Sequence, residues 1–432
     1  MISSNDRAII RELAAKWMEW AAAPVMAERK QAWRAVHDLQ SQRPVILFET
    51  DWIEGFVRRD EILCEDPLLR SIEQDMRIKI RQAEELGDDI VIEPYYRLGW
   101  RMVFSDYGVP VEIRSAAGPK DSLAYSFSFP IATPEDVGKL QPRTVAVDRK
   151  ESLRRQEIVE DAIGDILPIR LGNYDPFAYE FDVGEYGDLG FNGNFFFGLT
   201  WQVYRFIGNR GLLYWVYDAP DAIHELMSYM LEDRLALFEF FEKEGLLALN
   251  TDSQMAGPRM YGYVSDLPEA GSDGPIADDP VALQQLWGWA ESQEAAGISP
   301  DMYKEFVLPY LAKLSERFGL VYYGCCERVD DRLEAIIEAI PNLRSVSVSG
   351  WSDLQKTADL LGRNYVYSRK PVPAHISGPS PNWDLLERDI KDTYAAAKDS
   401  NIEILFRDVY TINGDRSRLR RWVDMTKSVF GM

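Results

Sequence analysis

The chain has few cysteines for its length, and this scarcity argues against a protein stabilised by a disulfide framework. Only three of its 432 residues are cysteine, namely Cys64, Cys325 and Cys326. Three cysteines at this spacing do not make a disulfide framework, and a chain of this length can bury a large core without one. We therefore expect a reducing, cytoplasmic compartment.

Positive charge and long apolar runs are lacking as well. The 48 lysine and arginine residues stand against 70 aspartate and glutamate residues, giving a formal net charge of −22. Such a surface repels nucleic acid and anionic lipid, so we expect neither as a partner. No run of about 18 apolar residues occurs, and the first residues do not have the pattern of a signal peptide. We expect a soluble, globular protein.

The sequence also lacks the short motifs of several large enzyme classes. It contains no HExxH, no GxSxG and no P-loop. These absences argue against zincin proteases, α/β-hydrolases and P-loop NTPases. No glycine-rich phosphate turn follows an early strand, which disfavours a doubly wound dinucleotide-binding sheet.

What the sequence does contain is an alternation of short apolar runs with amphipathic helical stretches. Residues 1–42 predict an N-terminal helical extension that is interrupted at Pro24. Eight later runs predict strands, at 45–48, 89–93, 166–170, 246–250, 320–323, 345–348, 365–367 and 402–406. Strands that alternate with helices pair in parallel, so we predict an α/β fold, a TIM (β/α)8 barrel over residues 43–432. The stretches 96–150, 173–215 and 251–300 are expected to be long rim insertions of loops, small hairpins or irregular helices.

In a barrel, the carboxyl ends of the strands carry the function, so the residues after each run are the candidates. The rim carboxylates Asp252, Glu327 and Asp408 are predicted general acids or bases. Aromatic side chains suggest a pocket for a flat or apolar molecule, and cationic ones can hold a carboxylate or phosphate. The predicted substrate-binding residues are Trp52, Tyr95, Tyr96, Arg170, Tyr174, Trp351, Arg369 and Lys370. Each of these residue types also serves in cores, caps and surface ion pairs, so their convergence on one edge is the signal.

The most unusual cluster is Gly324-Cys325-Cys326-Glu327, where two thiols and a carboxylate follow a predicted strand. Thiolate and carboxylate groups together can bind zinc, and the predicted metal ligands are Cys325, Cys326, Glu327 and Asp408. The alternative is that both thiols are small buried apolar groups. His37 and His224 lie in helical patterns away from any strand end, so we expect them to pack rather than to react.

The segment 290–310 resembles the uroporphyrinogen decarboxylase superfamily. It contains, in order, Ser299-Pro300, Tyr303, Phe306 and Leu308-Pro309-Tyr310, and the rim cysteine Cys325 follows the next strand. The resemblance extends loosely from Pro44 to the last residue. It implies a TIM barrel. It also implies either decarboxylation of tetrapyrroles or zinc-dependent transfer of methyl groups between small molecules, corrinoid proteins and thiols.

Departures from the family pattern select between these branches. Residues 49–56 lack the arginine-rich motif ending in Gly-Arg-Tyr that holds tetrapyrrole carboxylates, so tetrapyrrole decarboxylation is not expected. The methyltransferases carry a His-x-Cys that here reads Tyr323-Gly-Cys325, and no cysteine follows Cys326. The usual three-ligand set is therefore incomplete, and a rim zinc would need other ligands.

The resemblance thus implies a methyltransferase or demethylase. It would move a methyl group between a small methylated substrate and a partner protein that carries cobalamin, assisted by a rim zinc. The alternative is a metal-free decarboxylase or lyase that acts on a small carboxylic acid and uses the rim carboxylates as general acid and base. A barrel that has lost catalysis and serves only in binding or assembly is a third hypothesis, and a homodimer is a candidate assembly.

Overall fold

The computed structural model describes residues 2–115, 125–173, 195–270 and 280–432, and the structural statements below concern these residues. The strands are Val45–Phe48 (β1), Tyr96–Gly99 (β2), Met102–Phe104 (β3), Ile113–Ser115 (β4), Tyr125–Phe127 (β5), Val145–Val147 (β6), Ile169–Gly172 (β7), Met255–Gly257 (β8), Met260–Tyr261 (β9), Trp287–Ala290 (β10), Leu320–Tyr323 (β11), Leu343–Val348 (β12), Val366–Arg369 (β13) and Asn401–Phe406 (β14).

Helices surround these strands. They are Ser4–Ala21 (α1), Pro24–His37 (α2), Pro67–Glu85 (α3), Arg149–Ile163 (α4), Leu199–Asp218 (α5), Pro220–Lys243 (α6), Pro300–Phe306 (α7), Leu308–Ser315 (α8), Leu333–Ala339 (α9), Leu354–Leu361 (α10), Ala374–Ser377 (α11), Trp383–Ala397 (α12) and Ser417–Val429 (α13). Among the helices of the described ranges, none is long and apolar enough to cross a lipid bilayer.

The architecture is mixed α/β, built on a parallel sheet of six strands in the order β1-β14-β13-β12-β11-β10. Every residue of β1, β10, β11, β13 and β14 is buried. Burial of both faces is expected of a parallel sheet covered by helices, and it explains why β1 and β11 read as continuous apolar runs. The predicted runs at 45–48, 320–323, 345–348, 365–367 and 402–406 coincide with five of these six strands.

The closed eight-stranded barrel is not borne out, because the six strands form an open sheet in the described residues. The predicted runs at 89–93 and 246–250 are not strands, and β10 lies in a stretch predicted as a rim insertion. Side chains supplement main-chain hydrogen bonds at both edges of the sheet. At β1, the Asp89 carboxylate accepts the amide of Ile46 at 2.8 Å and the Asp88 carboxylate that of Phe48 at 3.0 Å.

The β10 edge is bridged in the same way. The side-chain amide of Asn250 accepts a hydrogen bond from the backbone N–H of Trp287 at 3.0 Å and donates one to the backbone carbonyl of Trp287 at 3.1 Å. The backbone of residues 195–197 also pairs with Trp289. The other strands form short pairs, parallel for β2 with β7 and antiparallel for β3 with β6, β4 with β5 and β8 with β9.

The two N-terminal helices pack directly on this frame. Pro24 is the first residue of α2, where its missing N–H leaves no carbonyl without a partner. Helix α1 buries Ile10 and Trp17 against α3 and α4, and α2 packs on β1 and β14. The last residue of α2, His37, is completely buried.

The Asn250 bridge gives a test of the fold. Replacing Asn250 by alanine leaves the buried amide and carbonyl of Trp287 without partners, so Asn250→Ala should lower the free energy of unfolding by about 2 kcal/mol or more. Urea unfolding measures this, with the exposed Asn364→Ala as the matched control. Equal stabilities of the two variants would contradict the bridge.

Candidate active site

Polar side chains from five neighbouring strands meet at the carboxyl edge of the six-stranded sheet. Glu49 follows β1, Glu291 follows β10, Cys325 follows β11, Lys370 follows β13 and Arg407 follows β14. Because the strands are parallel, their carboxyl ends lie on the same edge, and this is where active sites of such sheets are found.

A tight turn after β11 fixes the backbone of Cys325. Gly324 has a φ of +98°, and a Cβ at this position would lie 2.9 Å from the Cβ of Ser347, so glycine is required. The Glu327 carboxylate accepts the amides of Cys325 at 2.7 Å and Ser292 at 3.1 Å. The carboxylate of Glu327 therefore holds the turn.

The two neighbouring thiols have opposite surroundings. A guanidinium nitrogen of Arg407 lies 3.4 Å from the Cys325 sulfur, whereas the Cys326 sulfur donates to the Asp408 carboxylate at 3.0 Å. The sulfurs are 3.7 Å apart. The bond to Cys325 and burial raise the pKa of the Cys326 thiol well above its usual range, so Cys326 stays protonated. The guanidinium of Arg407 contacts the sulfur of Cys325, and a cation stabilises negative charge there.

Glu49 holds in place both Arg407, the cation beside Cys325, and Asp408, the carboxylate beside Cys326. It accepts the amide of Asp408 at 2.8 Å and the Nε of Arg259 at 2.8 Å, and it lies 3.9 Å from Arg407. Burial alone would raise the pKa of Glu49, but Arg407 and Arg259 hold it below its usual value. Asp408 and Arg259 both adopt left-handed backbone conformations, at φ of +61° and +67°, which these contacts maintain.

A protonated carboxyl group lies near the same sulfur. Burial, followed by the negative charges of Glu294 and Glu327, raises the pKa of Glu291 well above its usual range, and Cys325 contributes in the same direction. One oxygen accepts the amide of Gln293 at 2.6 Å, and the other, buried, has no partner among the described residues. Glu291 is not among the residues selected from the sequence, because the strand that carries it was predicted as part of an insertion.

The four predicted metal ligands do not combine into a metal site. Both oxygens of Glu327 are occupied by backbone amides, and the Arg407 guanidinium lies within 3.4 Å of both the Cys325 sulfur and the Asp408 carboxylate. In the described ranges, no three histidine, cysteine, aspartate or glutamate side chains are arranged to hold a metal ion. This donor set does not fit zinc. The chemistry of the site is therefore assigned to protein side chains.

Several other predicted residues lie at a cavity of about 140 Å³. Asp252 accepts hydrogen bonds from the Tyr95 hydroxyl and, at 2.5 Å, from Arg97, while the guanidinium of Arg170 lies 4.0 Å from the centre of the Tyr95 ring. Tyr96 lines the cavity as well. The cavity shares Arg259 with the thiol group, since that arginine lines its wall and binds Glu49.

Of the remaining predicted residues, Arg369 turns away from these two groups, whereas Lys370 interacts electrostatically with the thiols and Arg407. Arg369 turns toward α12, where it pairs with Asp389 and donates to Thr393. Trp351 is 71% exposed, and Trp52 is partly buried in the segment after β1. The nitrogen of Lys370 is buried and donates to Ser368 at 2.6 Å. Tyr174 lies outside the described residues. A role of these side chains in substrate binding stays a prediction.

Because the predicted metal ligands already contact backbone amides and Arg407, we predict a low metal content in the purified protein. Elemental analysis of purified, reduced protein should give much less than one zinc per chain, and Cys325→Ser should match Cys64→Ser, which changes a buried thiol elsewhere. About one zinc per chain that Cys325→Ser removes and Cys64→Ser retains would contradict this expectation.

The buried carboxyl group predicts a pH dependence of stability. The usual pKa of Glu291 is 4.5 and its folded value is much higher, so only the unfolded chain releases this proton just above pH 4.5. The free energy of unfolding should therefore fall as pH rises from 4.5 toward the folded pKa, and the fall should be smaller in Glu291→Gln. Urea unfolding from pH 5 to 9 measures it, with the exposed Glu232→Gln as control. Parallel curves for wild type and Glu291→Gln would refute the assignment.

Comparison with known proteins gives a weak likeness in structure alone. No protein-family model and no curated protein matches the chain. In structure it is similar to a methyltransferase from Methanosarcina mazei, with 12% sequence identity and a TM-score of 0.47, over 93% of this chain and 99% of that one. A likeness of this strength carries no argument about activity, so the function is argued from the site.

Proposed function

We propose that this protein is an enzyme that transfers a methyl group from a small methylated substrate, with the sulfur of Cys325 as the nucleophile. The observation that carries the proposal is the Arg407 guanidinium 3.4 Å from this sulfur, at the carboxyl edge of the sheet. A thiolate attacks carbon far better than a thiol, and a fixed neighbouring cation favours the thiolate. The adjacent Cys326 lacks this advantage because it donates to Asp408.

The proposed step balances with groups of the chain. The Cys325 sulfur forms a bond to the methyl carbon while the bond from that carbon to the substrate oxygen or nitrogen breaks. The leaving atom keeps the electron pair and takes the proton of Glu291, a carboxyl group whose pKa burial raises well above its usual range. The products are a demethylated substrate and S-methylated Cys325.

The resemblance of segment 290–310 supports the methyl group as the group transferred. A thioether gives up its methyl group only to a strong nucleophile, and the resemblance implies a corrinoid protein as that acceptor. The sulfur regains its electron pair when the methyl group leaves. A homodimer and a cytoplasmic location are further parts of this proposal, and the corrinoid partner would dock at the rim.

A second candidate function is favoured by the cavity. Asp252 lies at its wall with a hydroxyl and a guanidinium bound to it, and such a carboxyl could act as a general acid or base on a small carboxylic acid. That would make the protein a metal-free decarboxylase or lyase. Loss of activity in Asp252→Asn, with full activity in Cys325→Ala, would favour this candidate over methyl transfer.

The proposal is tested by methyl transfer to free, reduced cobalamin. Methanol, trimethylamine and 2-methoxyphenol are offered as donors, and methylcobalamin is followed by absorbance. Cys325→Ala should reduce the rate roughly 100-fold or more, because the nucleophile is gone. Cys64→Ala should retain the wild-type rate, since that thiol is buried elsewhere. Equal rates in both variants, or no transfer by the wild type with any donor, would count against methyl transfer through Cys325.

A further inference from the structure

A chain of buried polar side chains runs from the site through the sheet to helix α2. The nitrogen of Lys370 donates to the Ser368 hydroxyl at 2.6 Å, and Tyr322 donates to the same hydroxyl at 2.9 Å. Ser368 also bonds to Glu403, its register partner on β14. Glu403 lies 3.0 Å from Nε2 of His37, whose Nδ1 contacts the carbonyl of Tyr263 at 2.8 Å.

This arrangement is costly for a purely structural element. Lys370, Glu403 and His37 are at most 3% exposed, and burying charged groups costs several kcal/mol each unless they are well paired. Apolar side chains would fill the same space at less cost. Buried, paired ionisable groups that end at a reactive edge are candidates for proton handling.

Lys370, the last member of this series of buried side chains, lies among the reactive groups of the site. Lys370 follows β13, and the groups that act on it from neighbouring elements are Glu403 on β14, Arg407 after β14, and Cys325 and Cys326 after β11. The ring of Tyr322 on β11 lies 5.3 Å from its nitrogen. The Arg407 guanidinium, which acts on Lys370, also contacts the Cys325 sulfur at 3.4 Å.

We propose that Lys370 is the base that takes the proton of Cys325, and that His37 positions it through Glu403 and Ser368. The inference rests on the proposed role of Cys325 as a nucleophile. The S–H bond breaks, the proton moves to the Lys370 nitrogen directly or through one water, and the electron pair stays on the sulfur beside Arg407. Ser368 and Glu403 then balance the new positive charge on Lys370.

The shifted pKa values of Lys370 and Glu403 agree with this assignment. Burial lowers the pKa of Lys370 to about 7, while Glu403 and both thiols raise it and Arg407 lowers it, so the amine can accept a proton near neutral pH. Burial would raise the pKa of Glu403, but the hydrogen bond and charge of His37, the charge of Lys370 and the bond to Ser368 together keep it below its usual value. His37 thus keeps the carboxylate charged and acts as a positioning residue.

The test is the rate at which iodoacetamide alkylates Cys325, measured from pH 5.5 to 9 by peptide mass spectrometry in a Cys64→Ala background. The wild-type profile should show an inflection near pH 7, from Lys370. In Lys370→Met the inflection should be lost and the rate at pH 7.5 should fall about tenfold. In His37→Gln the inflection should move to lower pH, because Glu403 is then less charged.

Matched controls separate these effects from general damage. Lys356→Met changes an exposed lysine on α10, and His375→Gln changes a histidine on α11, so both should retain the wild-type profile. Lys370→Gln, which keeps a donor for Ser368, repeats the test if Lys370→Met does not fold. An unchanged rate and pH profile in a folded Lys370 variant would overturn the assignment. Because alkylation needs no methyl donor, its outcome is independent of whether the protein transfers methyl groups.

Discussion

The contact between Arg407 and the Cys325 sulfur is the interaction on which this account depends. Two adjacent cysteines share a backbone turn and much of their surroundings, yet one faces a cation and the other faces the Asp408 carboxylate. In the proposed mechanism, that difference makes Cys325 the nucleophile and keeps Cys326 protonated. Glu49 maintains it, since it binds the backbone of Asp408 and lies beside Arg407.

Burial gives the surrounding groups their proton-handling properties. Loss of hydration disfavours charge, so it raises the pKa of the Glu291 carboxyl and lowers that of the Lys370 amine. A site that can both donate and accept protons near neutral pH is thereby built without a histidine at the edge. Such a site suits a reaction in which a thiol loses its proton and a leaving group gains one.

The position of the site could be predicted from the sequence. Cys325, Cys326 and Asp408 directly follow two predicted strands. The structure brings their side chains together, because parallel strands end on one edge of the sheet. Five strands were predictable as well, since each is an apolar run buried on both faces.

Other features could not be predicted, for identifiable reasons. Strand β10 reads Trp-Gly-Trp-Ala, where glycine and alanine disfavour a strand although tryptophan favours one, so Glu291 after it is missed. The closed barrel is predicted from runs that follow the strand pattern, but the runs that contain Asp89 and Asn250 are not strands and bond to the sheet edges partly through these side chains. The link between His37 and Glu403 joins residues far apart in the sequence, and no local pattern reveals it. Arg369 and Lys370 were grouped together although neighbouring strand residues face opposite sides.

The most direct test of the central contact compares the two sulfurs within one molecule. At limiting iodoacetamide and pH 7, the ratio of label at Cys325 to label at Cys326 is read by fragmentation of the shared peptide. The account predicts a ratio well above one in the wild type and a ratio near one in Arg407→Met, with Arg420→Met, an exposed arginine of α13, behaving as the wild type does. Preferential labelling of Cys326, or an unchanged ratio in Arg407→Met, would contradict the account.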